Sequence, residues 1–113
     1  MSKISDLWVF PAQIIYVVDG DTVDLKVDHG KKIFSEDRYR LLFCDTPERG
    51  QPGYWEAKKY LQSFQAKELL VITTKPDKYG RWLCELYDTM DLSESINKKI
   101  IRKKLGVRYG KGI

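Results

Sequence analysis

The stretch that most constrains the fold is residues 17–28, where two apolar runs meet at an Asp-Gly-Asp turn. Apolar residues recur with a period of two from Val23 onward, which predicts a strand over residues 22–28 with one buried face. Asp21 has the same parity as Val23, so we expect its carboxylate to face the interior. We also expect Gly20 to take a positive φ, which would bring two carboxylates together at the sheet edge. A buried carboxylate requires a cation or a basic partner.

Composition is that of one globular domain spanning residues 1–113. Hydrophobic residues make up 42% of the chain and charged residues 32%, which argues against a disordered protein. The net charge is +4, and from Lys98 onward every charged residue is basic. This distribution permits an anionic partner such as nucleic acid without requiring one.

Cysteine usage and the first residues predict a cytoplasmic protein. Cys44 and Cys84 lie in strand-like runs without metal-ligand spacing, so we expect buried free thiols, with a single disulfide as the alternative. The sequence contains neither a signal-peptide pattern nor an apolar run of about 20 residues, which argues against secretion and membrane insertion. The only histidine, His29, lies in a predicted turn, which excludes a zinc site and a histidine-based triad.

The remaining pattern predicts a small, partly open β-barrel with helices, an α+β fold. Pro11 interrupts the first strand, so pairing should begin after it. Asp91 and Glu94 have capping-box spacing, which predicts a helix whose N-cap is Asp91 and whose lysines point outward. The predicted strands are 7–18, 22–28, 33–44, 69–72 (buried on both faces) and 82–88, and the predicted helices are 54–66 and about 91–105.

Two further stretches carry chemically versatile side chains, residues 40–48 and 77–81. The first ends a predicted strand and contains Arg40, Asp45 and Glu48. Arg40 and Asp45 have opposite parity, so they can serve one site only if the chain twists or bulges near Cys44. In the alternative interpretation, Arg40 simply pairs with Glu48 on the surface.

Together these stretches offer carboxylates, hydroxyls, main-chain carbonyls and guanidinium groups. Oxygen ligands from Asp21 and Asp45 suit Ca²⁺, with Mg²⁺ or Mn²⁺ as alternatives, and do not select zinc or copper. Arginines beside a dication favour a phosphate, whose oxygens match the guanidinium fork. Glu48 could then orient or deprotonate a water, and the set predicts phosphodiester hydrolysis.

Three segments resemble the motifs of the staphylococcal nuclease (thermonuclease) family: Val18–Val23, Arg40–Glu48 and Asp77–Arg81. They occur in the family's order, and the resemblance covers roughly residues 12–105. Each motif alone is modest, since Asp-Gly-Asp also occurs in ordinary turns and calcium loops, but the joint match is specific.

The resemblance implies a five-stranded OB-fold with two packed helices and a Ca²⁺-dependent endonuclease that leaves 3′-phosphate ends on DNA or RNA. From the sequence we also expect a monomer without an obligate protein partner. The implied metal ligands are Asp21, Asp45 and the main-chain carbonyl of Thr46; the implied catalytic residues are Arg40, Glu48 and Arg81; the implied substrate contacts are Lys78, Tyr79 and Tyr109.

Departures from the family pattern concern the surroundings of the cleft. The loops after Glu48 and before Asp77 are shorter than in the staphylococcal enzyme, and Lys104 stands where the family often has a glycine. Tyr109 is offset by about one residue from a family tyrosine that stacks on a base.

Three functions other than a general endonuclease are also compatible with parts of the sequence. Non-catalytic members of the family bind nucleic acid or methylated peptides, so the chain could be a binding module without turnover. It could also be a structure-selective nuclease, since an indiscriminate nuclease endangers the bacterial or phage-infected cell that keeps it, and a compact stand-alone nuclease is compatible with a phage or mobile element. A purely structural calcium-binding domain would leave Arg40 and Arg81 without a purpose.

Overall fold

The computed structural model describes residues 9–73 and 81–109. Five strands form a closed barrel in the order β1-β2-β3-β6-β5, and two helices complete an OB-like fold. The sequence predicted a partly open barrel, whereas the barrel in the structure is closed. The elements are β1 (Val9–Asp19), β2 (Thr22–Asp28), β3 (Phe34–Leu41), β4 (Cys44–Asp45), α1 (Tyr54–Gln62), β5 (Leu69–Thr73), β6 (Trp82–Asp88), α2 (Ile96–Arg102) and β7 (Val107–Arg108).

Two antiparallel ladders build the first half of the barrel. β1 pairs with β2 from Ala12 opposite Val27 to Asp19 opposite Thr22, and β2 pairs with β3 along its whole length. Pairing with β2 begins after Pro11, as predicted. β1 nevertheless pairs with β5 from Val9, and Pro11 lies opposite Leu70. The prediction that pairing starts only after Pro11 is therefore wrong for this second ladder.

Closure of the barrel comes from β5 and β6. β5 pairs antiparallel with both β1 and β6, while β6 pairs in parallel with β3, with Tyr39 opposite Trp82. β5 alternates between fully buried Leu69 and Val71 and half-buried neighbours. The prediction of a strand buried on both faces is thus wrong, because one face of β5 is only partly covered.

The core follows the alternation read from the sequence. Val23, Leu25 and Val27 are at most 1% exposed, and residues from α1 and α2 cover the barrel. Burying such side chains contributes about 1.5–3 kcal/mol each, which makes the β2 face a major source of stability. Cys44 and Cys84 are buried free thiols, as predicted.

The first helix, α1, is shorter than predicted. It ends at Gln62, and turns follow it. The apolar stripe of the predicted helix continues to Phe64, which is buried although it lies beyond the last helical turn. The stripe therefore identified the packed face but not the end of the helix.

The second helix, α2, begins later than the capping box predicts. Its N-cap is Ser95, whose hydroxyl accepts a 3.1 Å hydrogen bond from the Lys98 N–H. Asp91 instead accepts hydrogen bonds from the N–H and hydroxyl of Ser93 and lies 2.6 Å from the Lys99 ammonium. Lys99 is only 8% exposed, so the prediction that all lysines of this helix point outward is wrong for it.

A two-stranded sheet, β4 with β7, lies outside the barrel and was not predicted. It brings the chain near Tyr109 back beside Cys44 and Asp45. Among residues 9–73 and 81–109, no helix combines the length and apolarity needed to cross a membrane.

Candidate active site

A cleft of about 350 Å³ lies where the β1–β2 turn, the end of β3 and the segment after β4 meet. The residues that line it come from all three sequence motifs. Six of them are predicted site residues, namely Asp21, Arg40, Asp45, Thr46, Glu48 and Arg81. Lys78 and Tyr79, which belong to the third motif, lie outside the described residues.

Asp21 joins the first motif to the second. Its side chain is 11% exposed, and Oδ2 accepts a 3.0 Å hydrogen bond from the main-chain N–H of Thr46. Oδ1 accepts a 3.0 Å bond from the hydroxyl of Thr22. As predicted from its parity, the carboxylate is buried and has a basic partner, since Arg40 lies 3.5 Å from Oδ2.

Gly20 has a different role from the one predicted. Its φ is not positive, so the expectation that the turn needs a left-handed residue is wrong. A Cβ at this position would lie 2.6 Å from Cβ of Ala57 and 2.8 Å from Oγ1 of Thr46. Glycine is therefore required because α1 and the segment after β4 pack directly against the turn.

Arg40 is fixed by contacts on both of its terminal nitrogens. Nη1 donates to the carbonyls of Leu41 and Cys44 at 3.1 and 3.0 Å. Nη2 lies 3.2 Å from Oδ1 of Asp45 and 3.5 Å from Oδ2 of Asp21. Arg40 thus pairs with these two carboxylates, and the alternative interpretation, a surface pair with Glu48, is wrong. A guanidinium held this way is preorganised.

Arg40 and Asp45 have opposite parity, so they can share one site only if the strand is interrupted between them. The interruption is a turn at residues 42–43. β3 ends at Leu41 rather than continuing to Cys44, and Phe43 takes a φ of 59°. This left-handed residue ends the strand and reorients the chain, so that Asp45 points back toward Arg40.

Asn97 holds that turn in place and was not singled out from the sequence. Its Nδ2 donates to the carbonyls of Leu42 and Cys84 at 2.9 and 3.0 Å, and its Oδ1 accepts from the N–H of Leu86. Asn97 is 2% exposed. An asparagine in the first turn of this amphipathic helix is the signal that the sequence offers, and it does not reveal the partners.

Tyr109, which was predicted to contact substrate, lies against Arg40. Its hydroxyl accepts a 3.0 Å hydrogen bond from Nη1, and the Arg40 guanidinium carbon lies 5.0 Å from the centre of its ring. Tyr109 remains 39% exposed. It reaches Arg40 because β7 pairs with β4 immediately before it.

Glu48 and Arg81 complete the described wall of the cleft. The Glu48 side chain is exposed, and its main-chain N–H donates a 2.8 Å hydrogen bond to Oε1 of Gln51. Arg81 is partly buried, lines the cleft and immediately precedes β6, which pairs in parallel with β3.

The carboxylates of Asp21 and Asp45 suit a hard cation in their chemistry. Both contact the same Arg40 nitrogen, Nη2, so the guanidinium occupies the position between them in this structure. Within the described part of the chain, no group of three or more histidine, cysteine or acidic side chains is arranged as a metal site. A bound cation would therefore take its other ligands from main-chain oxygens and water.

Comparison of the chain with protein-family models gave no match. Comparison with curated proteins gave none either.

Proposed function

We propose that this protein is a metal-dependent endonuclease that hydrolyses phosphodiester bonds of DNA or RNA, of the staphylococcal nuclease-like type. The observation that carries the proposal is the single cleft shared by Asp21, Arg40, Asp45, Glu48 and Arg81. These residues come from three separate segments, and carboxylates with guanidinium groups around one opening are the groups that phosphodiester hydrolysis requires.

The charge of the cleft supports a requirement for a cation. Its described lining includes four carboxylates, those of Asp19, Asp21, Asp45 and Glu48, against three guanidinium groups, those of Arg40, Arg49 and Arg81. A polyanion approaching this lining alone would meet net negative charge. A dication between Asp21 and Asp45, Ca²⁺ or alternatively Mg²⁺ or Mn²⁺, would reverse the balance, polarise the phosphate and lower the pKa of water.

The two arginines would bind the phosphate and neutralise charge in the transition state. Arg40 is held through Nη1 by the carbonyls of Leu41 and Cys44, and its Nη2 would exchange the carboxylates of Asp21 and Asp45 for the phosphate when a dication binds those carboxylates. Arg81 lines the same cleft, so both guanidinium groups can face one phosphate. Fixed positive charge at the reacting phosphate is the main contribution that a protein makes to phosphoryl-transfer reactions.

Glu48 would orient and deprotonate the attacking water. Its carboxylate is exposed at the cleft, and the bond from its N–H to Gln51 fixes the loop that carries it. A carboxylate is a weak base at neutral pH, so positioning of the water contributes more than its basicity.

The direct test is incubation of purified protein with plasmid DNA, single-stranded DNA and RNA, each with Ca²⁺, Mg²⁺, Mn²⁺ or a chelator. We expect cleavage with at least one cation, none with the chelator, and a loss on the order of 10² or more in Glu48→Gln. Glu36→Gln is the matched control, because Glu36 is an exposed glutamate on β3 outside the cleft.

Each outcome separates the functional classes. Binding of nucleic acid without cleavage under any cation would favour the non-catalytic module. Cleavage confined to branched or otherwise structured substrates would favour a structure-selective nuclease. Full activity of Glu48→Gln would reject the proposed mechanism.

A further inference from the structure

A cationic and aromatic cluster adjoins the cleft, and one of its members, Arg49, belongs to the lining of the cleft. It consists of Arg49, Tyr54, Trp55 and Lys58. The Lys58 ammonium lies 5.8 Å from the Tyr54 ring centre and 5.4 Å from that of Trp55, and the Arg49 guanidinium lies 5.8 Å from the Tyr54 ring. Two cations thus contact one aromatic pair.

The cluster is connected to the cleft through Tyr54. The Tyr54 hydroxyl donates a 3.0 Å hydrogen bond to Oδ1 of Asp19, and both Asp19 and Arg49 line the cleft. The Trp55 ring packs edge-on against Tyr54 with 5.1 Å between centres. Trp55 is therefore one ring removed from the cleft wall.

Lys58 lacks a counterion in the described structure. It is 8% exposed, yet no carboxylate of residues 9–73 or 81–109 lies within 4 Å of its ammonium. A largely buried cation without an opposite charge is costly, and contacts with two aromatic rings offset only part of that cost. An anion bound beside the cluster would offset the remainder.

Trp55, unlike the buried Tyr54 and Lys58, is 56% exposed on the surface of α1. An exposed aromatic ring next to cations is the combination that binds unpaired nucleotides, since the ring stacks on a base while the cations hold its phosphate. A base within a duplex has both faces covered by its neighbours and cannot stack in this way.

We propose that Arg49, Trp55 and Lys58 form a subsite for an unpaired nucleotide that flanks the phosphate in the cleft. Trp55 stacks on the base, and Lys58 and Arg49 bind the adjoining phosphate. This inference rests on the proposed nuclease function and deepens it, because it makes single-stranded nucleic acid the preferred substrate.

The test measures binding rather than cleavage, by anisotropy of a labelled oligonucleotide in the Glu48→Gln protein with Ca²⁺. We expect Trp55→Ala to raise the Kd for an unpaired strand by roughly five- to a hundredfold and Trp55→Phe to retain most of the affinity. We expect Lys58→Gln to weaken binding and to reduce the dependence of log Kd on log salt by about one phosphate contact.

A probe with abasic positions separates stacking from folding effects. Removing the bases should weaken binding of the parent protein and leave Trp55→Ala unaffected, which a general loss of structure would not produce. Phe34→Ala and Lys26→Gln are matched controls, because the Lys26 ammonium lies 4.8 Å from the ring centre of the exposed Phe34. That pair lies toward the end of the β2–β3 ladder that is remote from Arg40.

Several results would overturn the subsite. The subsite is wrong if Trp55→Ala binds the unpaired strand with unchanged affinity, or if Phe34→Ala loses as much affinity as Trp55→Ala. It is also wrong if Trp55→Ala loses as much affinity for a duplex as for the unpaired strand, or if the parent protein does not bind the unpaired strand at all. If the wild-type protein cleaves nucleic acid and Trp55→Ala binds normally, the subsite fails and the nuclease proposal stands. If the wild type cleaves nothing but binding depends on Trp55 and on the bases, the nuclease proposal fails and the subsite stands.

Discussion

The main-chain N–H of Thr46 donates a 3.0 Å hydrogen bond to Oδ2 of Asp21, across 25 residues of sequence. This bond ties the turn after β1 to the segment after β4 and so fixes the distance between two of the three motifs. The same carboxylate oxygen lies 3.5 Å from Arg40, so one buried group organises the cleft.

Asp21→Asn should abolish cleavage and lower the free energy of unfolding by about 1–3 kcal/mol. The amide lacks the charge that pairs with Arg40, and while its oxygen accepts from Thr46, its NH2 group faces the Thr22 hydroxyl, which must turn from donor to acceptor. Urea denaturation measures the loss. Asp24→Asn is the control, since Asp24 pairs with Arg38 on the exposed surface and should cost no more than about 1 kcal/mol. Equal losses in both variants would contradict the organising role of Asp21.

Arg81→Lys should be nearly as damaging as Arg81→Ala, with the cleavage rate reduced on the order of 10³ in both. A lysine supplies a point charge but not the planar fork that binds two phosphate oxygens. Single-turnover cleavage is the measurement, and Arg38→Lys is the control because Arg38 lies on the exposed face of β3. Near-normal turnover of Arg81→Lys would refute the proposed role.

Gly20→Ala should destabilise the fold by roughly 1–3 kcal/mol, because the new methyl group would lie 2.6 Å from Cβ of Ala57. The double variant Gly20→Ala/Ala57→Gly also removes the methyl group of Ala57 and should recover part of the loss. Thermal or urea unfolding of the two single variants and the double variant gives the coupling between the sites. Strict additivity of the two changes would mean that close packing does not explain the glycine.

The two thiols should be unreactive in the native protein. Burial, assisted by the charge of Asp21, raises the pKa of Cys44 to about 12. Burial likewise raises the pKa of Cys84. Little thiolate then exists at mildly alkaline pH, and access is blocked as well. A colorimetric thiol reagent should detect neither cysteine in buffer and both in guanidinium chloride; rapid reaction of native Cys44 would show that β4 opens readily.

Acid should remove the contribution of the Asp91–Lys99 pair to stability. Hydrogen bonds from Lys99 and Ser93 lower the pKa of Asp91 from 3.8 to about 2. Because the folded pKa is the lower one, the contribution is complete above pH 3.8 and declines as the pH falls toward about 2. Unfolding measured against pH should therefore show a smaller acid-side decline in Asp91→Asn, and added salt should reduce the difference. Identical pH profiles would contradict the assignment.

Local periodicity predicted the strands whose two faces have different environments. The bounds of β2 and β6 match the predicted strands at 22–28 and 82–88. The buried position of Asp21 followed from its parity with Val23. In these segments one face meets the core and the other meets solvent, so apolar residues recur with a period of two and the pattern predicts the strand.

The errors fall where a tertiary contact overrides a local signal. The Asp91–Glu94 spacing fits a capping box, but Asp91 binds Lys99 and Glu94 binds Arg102, and the helix begins at Ile96 with Ser95 as its N-cap. The apolar run through Phe43 reads as strand, but Asn97 on α2 captures the carbonyl of Leu42 and stabilises a turn there. Neither partner is near in sequence, and no local pattern reveals it.

The sequence by itself determined the barrel strands, the inward carboxylate at residue 21 and the set of groups available for chemistry, because each depends on residue type and short-range spacing. Only the tertiary structure decided that these groups share one cleft and that Tyr109 contacts Arg40. It also decided that residue 20 must lack a side chain. The physical reason is that these features depend on distances between segments far apart along the chain, which are set by barrel closure and by the packing of α1 and α2 against it.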